Sequence, residues 1–315
     1  MSPRASARLF AVLLVALASG GCGGQASNAA TSDARSARAA QASRVSTLST
    51  APPPAPRLVV TPARATGSVW QPVARIGSRV AAWQAQRSGV TLLRFDQQLL
   101  RLDLHAGTRE PSGTWYYGDR IEPSEIHRVV AAFNGGFKFA TGVAGWMSGG
   151  RVAVPLQSGR GSIVTYRDGT TAIGAWNHGV PASGRPVYSV LQNLSLLVDH
   201  RVAAASAESC IQACWGATIG GMDMVARSAL GVTSTGELVW GAGEHLLPGG
   251  LAKALIGAGV ARAVELDINP DWVAGYLYVH GGRAPTGSPV VAEQLGIAGR
   301  FLEPYSRDFF AVLAR

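Results

Sequence analysis

Short apolar, strand-like runs bounded by turn residues recur along the chain after its first part. Val90–Phe95 and Leu99–Leu104 read as strands joined by a turn at Asp96-Gln97-Gln98. Pro123–Arg128 opens a short helix, and the apolar run Val129–Phe133 ends abruptly at Asn134-Gly135-Gly136-Phe137. Gly149-Gly150-Arg151 and Arg167-Asp168-Gly169-Thr170 read as hairpin turns, and the apolar stretch Val187–Val198 as core. Val225–Val232 predicts a strand that turns at Thr233–Gly236 into Glu237–Trp240. Leu251, Ala254, Leu255 and Ala258 recur at helical spacing and predict an amphipathic helix over 249–257. Ala263–Asn269 predicts a strand stopped by Pro270. These elements imply an α+β domain with a large, twisted, mainly antiparallel or mixed sheet and a few packing helices. No period of 20–50 residues marks a repeat architecture.

The first part of the chain follows another pattern. Arg4 and Arg8 precede the apolar run Leu9–Leu17, which has the length of a signal core and is too short for a spanning helix. Ser19-Gly20-Gly21-Cys22 follows and resembles a bacterial lipobox, in which Cys22 carries the lipid; the alternative is an ordinary secretory signal. Residues 22–66 are rich in Ala, Ser, Thr, Gln and Gly, with Pro52-Pro53-Pro54-Ala55-Pro56, and read as a disordered tether. The expected organisation is therefore a signal at 1–21, a lipid-anchored linker at 22–66 and one domain at 67–315. The expected location is the outer face of the cytoplasmic membrane, or outside the cell if Cys22 is unmodified.

Composition sharpens this picture. The 315 residues are 47% hydrophobic and 15% charged, with 39 Gly and 17 Pro, which suits a core with many turns. The net charge of +9 suggests nucleic acid until it is located. The signal carries +2 and the linker +4, leaving +3 on residues 67–315, so a nucleic-acid partner is not expected. Besides Cys22 there are two cysteines, Cys210 and Cys214, expected to form a local structural disulfide in an oxidising compartment.

Three segments carry candidate chemistry. On an ideal strand Glu265, Asp267 and Asn269 share one face, and two carboxylates at that spacing suit one acid and one base. Asp271 and Trp272 follow Pro270 where the strand would open onto a pocket. Asp267, Asn269 and Asp271 are oxygen ligands of the type calcium takes, but Pro270 and a missing glycine argue against a calcium loop. Asn134 with Gly135, Gly136 and Phe137 lets backbone approach a ligand closely. Arg227, in an otherwise apolar strand, needs either a structural carboxylate or an anionic substrate. No Walker, dinucleotide or Gly-x-Ser-x-Gly spacing is present, and the six His make no metal-binding pair.

In this order the three segments resemble the phosphodiester glycosidase family. The resemblance rests on Phe133-Asn134-Gly135-Gly136-Phe137, on Arg227-Ser228-Ala229-Leu230-Gly231 with the hairpin and helix after it, and on Glu265-Leu266-Asp267. It covers roughly residues 85 to 285. Ile268-Asn269-Pro270-Asp271-Trp272 stands where the family has a glycine run after its Leu-Asp. The resemblance implies a hydrolase acting on a sugar-1-phosphodiester or a related cell-envelope glycan. Arg227 would bind phosphate, Asn134 and the Gly135-Gly136 backbone would position the sugar, and Asp267 with Glu265 would share the acid and base or nucleophile roles. The rival expectation is a non-catalytic glycan-binding or envelope-assembly lipoprotein.

Overall fold

The computed structural model describes residues 56–63, 67–143, 145–218, 220–294, 297 and 299–315. The signal segment, Cys22 and most of the expected linker lie outside them. Pro54–Arg315 forms one compact unit. No helix among the described residues is long and apolar enough to cross a membrane.

The unit is more sheet-dominated than the expected α+β domain. Its strands form a nine-stranded, a six-stranded and a five-stranded sheet. Among the described residues pairing is antiparallel except where Ala175–Trp176 runs beside Gly179–Val180. One helix among the described residues, Pro248–Gly257, exceeds two turns. Proline at its first turn suits the helix start, where the N–H would lack a partner in any case. Its buried face, Leu251, Ala252, Ala254 and Leu255, packs on Val90, Ala229 and Val239 of the large sheet.

The opposite face of the large sheet meets the five-stranded sheet across an aromatic cluster. The Phe133 ring lies 5.4 Å from Trp240, 5.6 Å from Phe310 and 6.3 Å from Phe95. A Cβ on Gly275 would lie 2.4 Å from the Trp240 ring, so the close approach of the sheets there requires glycine.

The domain begins before residue 67. Leu58–Val60 pairs with Ala74–Ile76 as the edge strand of the large sheet, with Leu58 and Val60 packed into the same core cluster as Val73 and Ala74. The expected linker boundary is corrected accordingly.

Two side chains join the sheets at one end. Gln97, in the turn after Val90–Phe95, donates from Nε2 to Thr171 O and Gly236 O and accepts the Thr171 N–H. Arg315 donates to the carbonyls of Gln97, Leu100, Asp168 and Gly169.

Candidate functional site

The strand Val225–Thr233 has the next strand, Leu238–Leu246, on one side and Val260–Glu265 on the other. The third of these is shorter than the sequence implies and ends at Glu265. Beyond it Ser228 serves two successive residues, accepting the Leu266 N–H and donating to Asp267 O. Regular pairing stops there, and with it the alternation that would put Glu265, Asp267 and Asn269 on one face.

Glu265 and Asp267 consequently part company. Glu265 is fully buried and its Oε1 lies 2.9 Å from Arg227 Nη1, also fully buried. Arg227 also donates to the carbonyls of Leu246, Trp215 and Asp223. Burial pushes the Glu265 carboxyl above its ordinary value, and Arg227 opposes the shift. Arg227 thus has the structural carboxylate rather than the open phosphate site. Of the two partners its position in an apolar strand allowed, desolvation selects the one inside the core.

Asn134 is likewise a structural residue. It is 2% exposed, donates to Gly135 O and Ser228 Oγ, and accepts the Ala274 N–H. Gly135 is required for packing, since a Cβ there would lie 2.5 Å from the Asp308 carboxyl carbon. Gly136 accepts from Arg307 through its carbonyl at 2.6 Å. These residues support the site from behind.

Asp267 lies at a cleft of 510 Å³, together with Phe137, Lys138, Gln212, Ile268, Asn269, Trp272 and Arg307. Asp267 Oδ1 accepts the N–H groups of Ile268 and Asn269, and Asn269 Oδ1 accepts that of Asp271. This pair of turns fixes the Asp267 carboxyl and brings Trp272 back to the cleft, while Asp271 is exposed and outside it. The turns also occupy oxygens that the calcium reading would need. Among the described residues no three His, Cys, Asp or Glu side chains are grouped as a metal site.

Arg307 and Lys138 were not singled out by the sequence. Arg307 Nη2 is 3.5 Å from Asp267 Oδ2, and Nε is 3.1 Å from Glu110 Oε2. Its Nη1 has no protein partner. The Arg307 guanidinium lies 5.3 Å and the Lys138 ammonium 5.8 Å from the Trp272 ring centre. Burial pushes the Asp267 carboxyl up to about 6, against the pull of Arg307, its two N–H donors and Lys138. Beneath them Asp308 is 1% exposed with neither carboxyl oxygen partnered, and burial pushes it up to about 7. A charged Arg-Asp pair directly before the apolar run Phe309–Ala314 was the available signal for this layer.

The cleft wall also contains the expected disulfide. Cys210 and Cys214 are bonded, and Gln212 and Ala213 between them line the cleft. Gln212 Nε2 donates to Met222 O and Asp223 Oδ1, fixing the next loop to the wall.

No family model matches the chain. Nor does any curated protein match it in sequence. Among solved structures, it is similar to the catalytic domain of zebrafish N-acetylglucosamine-1-phosphodiester alpha-N-acetylglucosaminidase, auto-inhibited by its pro-peptide. That match has 13% identity and a TM-score of 0.47 over 83% of this chain and 88% of the other. It is also similar to a hypothetical protein from Synechocystis, at 14% identity and a TM-score of 0.41, over 77% of this chain and 65% of the other.

Proposed function

We propose that this chain is an exported hydrolase that cleaves a glycosidic bond in a sugar-1-phosphodiester or a related cell-envelope glycan. The observation that carries the reading is Asp267, a fixed carboxyl with a raised pKa in a cleft that also presents two cations and an aromatic ring. A carboxyl near 6 exchanges a proton close to neutral pH, as an acid for a leaving sugar oxygen or a base for water requires. Arg307 Nη1 and Lys138 supply positive charge for a phosphodiester. Trp272 offers a flat apolar face of the kind that packs on a sugar ring. In this reading phosphate binding falls to Arg307 and Lys138 rather than to Arg227, and Asp308, one layer below the cleft, tunes Asp267 without touching the substrate. The leader and Cys22 would hold the enzyme on the outer face of the cytoplasmic membrane through the tether, or release it if Cys22 is unmodified.

The test is hydrolysis of a panel of sugar-1-phosphodiesters by the wild type and by Asp267→Asn. The variant is expected to lose about 10²–10⁴-fold in kcat/KM, the usual worth of a positioned acid or base. Equal rates in both proteins would end the assignment. One observation favours the non-catalytic alternative: Asp267 is the single carboxylate among the described residues lining the cleft. Saturable binding of cell-wall glycan by the wild type, without turnover, would select it.

A further inference from the structure

A second cavity, of 620 Å³, opens between the large sheet and the segment Pro289–Glu293. Gln84 and Gln86 lie two apart on one strand and so share a face, joined there by Thr91 of the next strand. Glu244 and His245, at the end of a third strand of the same sheet, and Glu293 of the opposite segment also line the cavity. A bulge explains how Glu244 and His245 both reach it. Arg227 pairs with Gly243 while Val225 pairs with Leu246, so one extra residue is accommodated there, and His245 adopts a φ of 52°.

Two buried acceptors of this cavity have no partner within the protein. Gln84 is 6% exposed, yet its Oε1 has no hydrogen-bond partner, and Glu244 Oε1 is buried in the same condition. Buried acceptors are nearly always satisfied in folded proteins, and the protein supplies no donor to these two, so a ligand that brings N–H groups to this cavity has acceptors to bond. A third cavity, at Trp83 and Glu237, lacks this property: its Gln97 and Thr235 are bonded within the protein.

Charge fixes the class of ligand. Among the described residues two carboxylates and no Lys or Arg line the cavity, in a domain whose overall charge is positive. Burial and then Glu293 raise the Glu244 carboxyl, with His245 opposing, so a cation between the two glutamates would relieve their repulsion. The Asp267 cleft has the opposite character, with Lys138 and Arg307 in its wall.

We propose that this cavity is a second ligand site for a small organic cation, its ammonium group held between Glu244 and Glu293 and a further donor bonded to Gln84. The site is independent of the hydrolase reading. Calorimetric titration of the full chain with spermidine and with glucosamine tests it and separates a linear polyamine from an amino sugar. N-acetylglucosamine, which keeps the ring and lacks the charge, is the control. At least one amine is expected to bind saturably, ten-fold or more weaker in Glu293→Gln and in Glu244→Gln, with the control silent and Asp267→Asn unchanged. Glu293 is exposed, so its variant tests the site without disturbing the core. Absence of saturable amine binding would overturn the proposal, as would affinity unchanged in both glutamate variants or lost only in Asp267→Asn.

Discussion

Asp308 shows how one buried side chain links the site to the stability of the fold. Burial raises it, Asp267 and Glu110 raise it further, and Arg307 pulls the other way. Asp267 is raised as well, to about 6. Both folded-state values exceed the ordinary carboxyl value of 3.8. Between about pH 4 and 7 these two carboxyls therefore hold more protons in the folded chain than in the unfolded one, and their contribution to stability falls as pH rises through that window. Asp308→Asn keeps the shape and removes the titration. Thermal melts across this window should show a decline in the wild type that the variant flattens, by roughly 1.4 kcal/mol for each unit between folded and unfolded pKa. Parallel curves for the two proteins would show that Asp308 does not carry the effect. Asp267 itself was legible in the sequence, as an acid between apolar residues beside a loop. Lys138, Arg307 and Asp308 were not, because each gains its meaning only when segments far apart in the chain converge.

The strand Val225–Thr233 gives the same lesson for an element. Its apolar alternation and the Thr233–Gly236 turn made both strand and hairpin readable, and Arg227 was visibly out of place there. Which partner it had depended on where the neighbouring strand stopped. Ending at Glu265 rather than Asn269, that strand delivers one acid to the core and another to the cleft. Arg227→Ala, which leaves Glu265 buried and uncompensated, should cost about 3–5 kcal/mol in urea unfolding. Arg227→Met combined with Glu265→Leu should recover most of that loss, since two apolar side chains of similar size replace the pair. A single Arg227→Ala variant as stable as the wild type would return Arg227 to the list of ligand-binding candidates.

For the whole molecule, the net charge misled until it was located, while the strand-rich architecture followed from short apolar runs and frequent turns. The domain boundary did not, because Leu58–Val60 is too short to stand out beside a proline-rich stretch. A chain beginning at Gly67 should melt below one beginning at Pro54, by roughly 2–4 °C for each kcal/mol lost, and should aggregate more readily through the uncovered edge Gln71–Ile76. Identical melting curves would place Leu58–Val60 outside the cooperative fold. At the other end, Gln97 and Arg315 bind turns of all three sheets to one another. A sheet cannot separate from its neighbours without breaking several of these bonds at once. Amide protons in the three sheets should then exchange with solvent through one shared opening, so that loosening of any sheet is felt at the cleft as well.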